Sequence, residues 1–316
     1  MFNIKEDYSG DLKRILITGP AGSSVSIVPE FGANINDLIL EKNGKAHPLL
    51  AGNRVRDDFS EKGVFNGAKL VPFPNRIKDG AYTFEGKRYQ LEQNYPEEHN
   101  ACHGFIYDRE FMAEKYEQEP DSAYVTLVHF YDGSLAGYPF EFKIELDYTL
   151  NRDRGFSCRT RIKNLGGKSM PVGDGWHPFF TFRGKIDTAL LRLHAERKID
   201  VDDRLIPTGS ASSYGAYGIP VMVGNTAFDT CFKIKPGKNG IQTTELHDKG
   251  SGLTIQLWQE TGENKYNYIQ VFIPPDRSSI ALEPATCNIN AFNNLEGLII
   301  LKPAETYEAA YGVRLL

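Results

Sequence analysis

The chain has 316 residues, 41% apolar and 12% aromatic against 24% charged, a composition that buries a large core and excludes disordered and fibrous classes. Its 36 Lys and Arg against 41 Asp and Glu give a net charge of −5, which leaves no electrostatic basis for nucleic-acid binding. Cys102, Cys158, Cys231 and Cys287 lie far apart with no CxxC spacing, so they predict free thiols in a reducing compartment.

The N-terminal segment MFNIKEDYSGDLKRILI is charged throughout and has no apolar signal core. No apolar run approaches the ~20 residues that span a bilayer. A soluble cytoplasmic protein is expected. Residues 81–91, AYTFEGKRYQL, set Tyr82 and Phe84 before a Glu85-Gly86-Lys87 turn and Tyr89 and Leu91 after it, which predicts a hairpin. Residues 141–150, EFKIELDYTL, place Phe142, Ile144, Leu146, Tyr148 and Leu150 on one face, the period-two signature of a half-buried strand. Phe156, Cys158, Thr160 and Ile162 repeat the pattern after the turn residues NRDRG. The two runs form a second antiparallel hairpin.

The basic stretch at residues 192–198, RLHAERK, is interrupted by acidic and apolar residues and reads as a solvated strand face. Residues 207–220, PTGSASSYGAYGIP, read as a loop, either a mobile one beside a site or a plain surface connection. LTIQLW, YIQVFIP and SSIALEP then add short strands rich in β-branched and aromatic residues. No run of ten or more residues carries helical spacing, and no linker or short repeat divides the chain. The expected architecture is all-β, a large antiparallel β-sandwich formed as a single domain over residues 1–316.

Chemistry concentrates in a few places. His177 sits in GDGWHPFFTF between Trp176 and Pro178, with Phe179 and Phe180 following; the run suits a packed structural ring as well as a shielded acid beside a sugar face. Glu283 closes an apolar strand, where an unpaired buried carboxylate is costly. Arg76, in LVPFPNRIKDGAY, fits either a salt bridge that ties the turn down or a donor to sugar hydroxyls or a phosphate. His103, in NACHGF, is followed by a glycine that permits close approach of backbone or ligand.

The ordered motifs PFPNRIKDGAYTFEGKRYQL, HNACHGF, GYPFEFKIELDYTL, VGDGWHPFFTF, AFDTCF and ALEPATCNINAFNNLEGLIILKPAETYEAAYGV span nearly the whole chain. Together they resemble the aldose 1-epimerases, or galactose mutarotases, of the galactose-mutarotase-like superfamily. The resemblance implies interconversion of α and β anomers of a free aldose without metal or organic cofactor. It implies Glu283 as general base, His177 as general acid and His103 as a second active-site histidine that holds substrate oxygens. Asn75 and Arg76 match a substrate-contacting pair, Asp229 a residue that binds sugar hydroxyls, and Gln270 a further contact. Phe179 stands where many relatives have tyrosine, and Tyr107 and Phe111 where many bacterial relatives have arginine and tryptophan. Losing a positive group there favours a neutral sugar over a sugar phosphate, an argument that nearby Arg109 blunts.

A carboxylate (~4.3) and an imidazole (~6.5) divide the base and acid roles near neutral pH, and nearby carboxylates are expected to raise the proton affinity of His177. The expected partner is a small-molecule sugar, with no nucleic acid and no membrane, bound by a monomer or homodimer. Competing readings are a hexose-phosphate epimerase, a non-catalytic sugar-binding protein of the same fold, a glycosidase using Asp229 as second carboxyl, and a metal hydrolase with His103 and His177 as ligands.

Overall fold

The structure is a computed structural model that describes residues 1–53, 55–60, 65–182 and 184–316. Among the described residues, two large antiparallel sheets carry the fold. A nine-stranded sheet runs in the order Met112–Gln118, Ser122–Tyr131, Phe142–Asn151, Gly155–Asn164, Thr306–Leu315, Thr254–Glu260, Ile241–His247, Leu190–Leu193 and Val221–Met222. The eight-stranded sheet orders Pro207–Ser213, Ala195–Val201, Asp229–Ile234, Tyr268–Phe272, Ile280–Ala285, Gly175–His177 and Ala68–Leu70, with Phe179–Phe180 also paired to Ile280–Ala285. Aromatic rings join them: Trp176 of the eight-stranded sheet stacks on Tyr311 of the nine-stranded one at 4.9 Å and 12°. One continuous apolar core includes residues of both.

Local chemistry accounts for these elements. In Phe142–Asn151 burial alternates strictly, with Phe142, Ile144, Leu146, Tyr148 and Leu150 inside, so the apolar face cannot be satisfied except against another layer. Glu85 and Gly86 both take positive φ, 47° and 76°. That is the geometry of a tight hairpin turn whose twist matches its strands, and it joins Ala81–Phe84 to Lys87–Gln90. The helices are short, Arg56–Ser60 and Ala291–Asn294 being the α-helical ones among the described residues. None is long and apolar enough to cross a membrane. All four cysteines are buried as free thiols.

Two features differ from expectation. Residues 207–213 are the edge strand Pro207–Ser213 of the eight-stranded sheet, not part of a loop; its small polar residues lack an apolar face because both faces of this edge lie at the surface. A five-stranded antiparallel sheet made of Asn3–Ser9, Leu12–Thr18, Ser24–Val28, Asn34–Lys42 and Lys45–Pro48 was not read from the sequence at all.

Leu146 has no exposed surface in the middle of the nine-stranded sheet. Leu146→Ala is expected to cost about 2–5 kcal/mol, measured as a shift of the urea unfolding midpoint at unchanged m-value.

Candidate functional site

Side chains alternate across a strand, so register decides which residues share a face. Gly175 pairs with Ala285, and Phe179 pairs with Ala281. Between those two pairs His177 stands opposite Glu283. Pro178 has no N–H to give to the ladder, and no ladder pair forms between the two. The next strand sets Gln270 beside Glu283, and the one after sets Cys231 beside Gln270, which turns Asp229 to the same face. Four neighbouring strands thus deliver His177, Glu283, Gln270 and Asp229 into one hollow.

The remaining walls come from connecting segments. Asn75 and His103 both take left-handed backbone conformations, φ 58° and 65°, and bind each other. The His103 N–H donates to the Asn75 carbonyl at 2.9 Å, and the Asn75 N–H donates to His103 Nδ1 at 3.1 Å. Nδ1 is therefore an acceptor, which places the ring proton on Nε2. Arg76 follows Asn75 into a strand paired with Asn100–Cys102. Its Nε donates to Glu98 Oε2 at 2.7 Å, and its guanidinium lies 5.7 Å from the Tyr95 ring centroid. Arg76 therefore forms the salt bridge, and its side chain also lines the hollow.

The resulting cavity, about 180 Å³, is lined by Phe65, Asn75, Arg76, Tyr95, His103, His177, Phe179, Asp229, Gln270, Phe272 and Glu283. All eight residues singled out in the sequence converge there. Phe65, Tyr95 and Phe272 were missed, as was Glu98 behind Arg76. Phe272 was within reach, two positions beyond Gln270 on an alternating strand; Glu98 left no sequence signal, because its role is defined by a residue far away in the chain. Tyr107 and Phe111 do not line the cavity. Tyr107 packs edge-on behind Phe65 at 5.0 Å, and Phe111 is buried beside His129.

Hydrogen bonds join the polar wall into a chain. Arg76 Nη1 donates to Asn75 Oδ1 at 3.3 Å, Asn75 Nδ2 to Gln270 Oε1 at 3.2 Å, and Gln270 Nε2 to Asp229 Oδ1 at 2.5 Å. Opposite it, the His177 imidazole lies between two rings, Phe179 at 4.8 Å and 25° and Phe65 at 6.2 Å and 27°. His177 Nε2 stands 3.3 Å from Glu283 Oε1, and Nδ1 is buried with no hydrogen-bond partner among the described residues.

Enclosure decides the protonation of this pair. Burial pushes the His177 pKa down to about 3. Burial, reinforced by the charge of Asp229 and opposed by Arg76, pushes the Glu283 carboxyl well above its ordinary value. The expected rise in the proton affinity of His177 is therefore reversed, because desolvation outweighs the nearby carboxylates. His103 is also held well below the usual histidine value, by burial first and then by His177 and Arg76, so it acts as a neutral donor. Burial raises the Asp229 carboxyl as well, against Arg76 and the Gln270 hydrogen bond.

No group of three or more His, Cys, Asp or Glu side chains among the described residues is arranged to hold a metal ion. A larger hollow of about 420 Å³ on the outer face of the nine-stranded sheet holds Trp258, Arg159, Arg161 and Asp147. Its charged groups pair with one another, Arg161 with Asp147 at 2.8 Å and Arg159 with Glu308 at 2.7 Å.

Two large antiparallel sheets around one apolar core, with the cavity on the eight-stranded one, make up a galactose-mutarotase-like fold. A galactose mutarotase-like protein from Clostridium acetobutylicum has the same fold, with a TM-score of 0.88 over 100% of this chain and 98% of that one at 23% identity. The chain belongs to the aldose 1-epimerase family, whose model matches residues 13–314. It is 29% identical to the uncharacterized protein YihR of Escherichia coli K12 over 78% of this chain and 79% of that one. To the galactose mutarotase of Sus scrofa it is 24% identical over 72% and 69% of the two chains.

A carboxyl with a raised folded pKa contributes stability that is present below its unfolded pKa, near 4.5, and lost as pH rises through the folded value. In that window Glu283→Gln is expected to gain about 1.4 kcal/mol over the native protein for each pH unit. Thermal melts between pH 4.5 and 9 read this; a constant difference would mean that Glu283 is ionised throughout.

Proposed function

We propose that the chain is an aldose 1-epimerase that interconverts the α and β anomers of a free, neutral aldohexose. One observation carries the reading: His177 Nε2 and Glu283 Oε1 face each other at 3.3 Å inside an enclosed cavity. A sugar seated over the pair presents its C1 hydroxyl to one group and its ring oxygen to the other.

Ring opening starts from the imidazolium and carboxylate. Glu283 takes the proton of the C1 hydroxyl while His177 protonates the ring oxygen, and the C1–O5 bond breaks to leave an open-chain aldehyde. The pair is then a neutral imidazole and a carboxylic acid. This is the distribution that burial favours, with His177 lowered to about 3 and Glu283 raised. Rotation about C1–C2 presents the other carbonyl face, and the reverse transfers close the ring. Both ends of the step carry one titratable proton on the pair, so the two groups act as a unit.

The other walls supply recognition. His103 offers an Nε2 proton to substrate oxygens, Arg76 and Asp229 serve as donor and acceptor for hydroxyls, and Phe179 and Phe272 provide apolar surface for a sugar face. Among the described residues that line the cavity the one guanidinium, Arg76, is matched by Glu98 at 2.7 Å, and Asp229 and Glu283 add carboxyls. That balance supports a neutral sugar over a hexose phosphate. Four free thiols fit a cytoplasmic enzyme.

Freshly dissolved single-anomer galactose and glucose, followed by polarimetry or NMR exchange, are expected to equilibrate faster with the protein, and hexose 6-phosphates much less so. Glu283→Gln and His177→Gln should each slow exchange about 10²–10⁴-fold. After subtraction of the spontaneous reaction, kcat/KM should fall on the acid side near pH 3, where His177 gains its proton, and on the alkaline side where Glu283 loses its own. Sugar resonances that shift without faster exchange would make this a binding protein.

A further inference from the structure

Two buried charged side chains flank the strand that carries His177 and take no part in these proton transfers: Asp174 immediately before it, and Lys69 on the neighbouring strand Ala68–Leu70. Lys69 Nζ lies 2.6 Å from Asp174 Oδ1, with the side chains 1% and 0% exposed. Removing two charges from water is costly, and well-packed apolar side chains of similar volume generally serve folding as well. Stability alone leaves the pair unexplained.

Its partners reach across the molecule. Lys69 Nζ donates to Thr160 Oγ1 at 2.7 Å and stands 5.1 Å from the Tyr311 ring centroid. The Tyr266 and Tyr307 hydroxyls both donate to Asp174 Oδ2. Thr160, Tyr307 and Tyr311 belong to the nine-stranded sheet, so the pair ties the strand bearing His177 to the opposite layer. The backbone of Asp174 makes a second tie. Its N–H donates to Thr286 Oγ1 at 2.9 Å, and its carbonyl accepts the Thr286 N–H at 2.9 Å. Asp174 lies three residues before His177, and Thr286 three residues after Glu283. Lys69 completes the arrangement from the other flank, where it is the register partner of Trp176.

Direct pairing between the two catalytic strands stops at Gly175–Ala285 and resumes only at Phe179–Ala281. The spacing of His177 and Glu283 across that gap needs support from elsewhere. We infer that Lys69 and Asp174 are positioning residues that hold His177 and Glu283 at their working separation by clamping their strands to each other and to the opposite sheet. The inference rests on the proposed acid–base function.

The test replaces the charges at constant bulk. The double variant Lys69→Met/Asp174→Leu is expected to keep a cooperative thermal transition within a few degrees of the native one or above it. Its kcat for anomer exchange should drop about 100-fold, with KM within about threefold, the signature of a displaced catalytic pair rather than lost binding. Lys69→Met/Asp174→Asn keeps an acceptor for the tyrosines and should recover at least about tenfold of that loss. Independently of turnover, the imidazole 15N shifts of His177 should move in the leucine variant and return toward native values in the asparagine one. A folded leucine variant with native kcat and native His177 shifts, or one in which only KM rises, overturns the inference. If the leucine variant does not fold, the asparagine variant decides: a kcat between zero and native with moved shifts supports the clamp, and native values of both overturn it. If the native protein does not exchange anomers, the proposed function fails, and the His177 shifts alone judge the positioning claim.

Discussion

The antiparallel register across the strands of the eight-stranded sheet is the constraint on which the site depends. With Gly175 held against Ala285 and Phe179 against Ala281, His177 and Glu283 have no choice but to oppose each other on the cavity face. A slip of the Gly175–His177 strand by one residue would turn His177 into the core and bring Trp176 out. Trp176 resists that slip, because its indole N–H donates to the Gly67 carbonyl at 3.2 Å and its ring stacks on Tyr311. Core packing and the placement of His177 opposite Glu283 are therefore two faces of the same strand.

Enclosure then sets the chemistry. In water near pH 7 a glutamate is ionised and a histidine is mostly neutral. Inside this cavity the charged forms of both are penalised, so burial favours a neutral imidazole beside a carboxylic acid. The same penalty strains the native fold. A protein selected for stability alone would not keep a carboxyl 3% exposed beside a second carboxyl.

The sequence made the hairpins legible because their burial alternates with a period that composition alone exposes, as in Phe142–Asn151. It hid the five-stranded sheet because Lys45–Pro48 is largely exposed while Ser24–Val28 is buried almost throughout, and neither keeps the alternation. The eight site residues were legible through ordered motifs, whereas Phe65, Tyr95 and Glu98 reach the cavity from segments with no periodic pattern. Lys69 looked like any surface lysine, since nothing in GAKLVPF announces its burial. The order of the two pKa values was misread for a related reason: ordinary pKa values describe side chains in water, and burial is a property of the whole fold.

The hydrogen-bond chain of the polar wall has a direction. Each link donates toward the next, from the guanidinium of Arg76 through the amides of Asn75 and Gln270 to the carboxylate of Asp229. Turning one amide around would set acceptor against acceptor at one end and donor against donor at the other. The four side chains therefore behave as one rigid unit, and no single substitution within the row leaves the others in place. The aromatic wall carries no such direction, since Phe179 meets His177 and Phe272 through ring faces and edges alone.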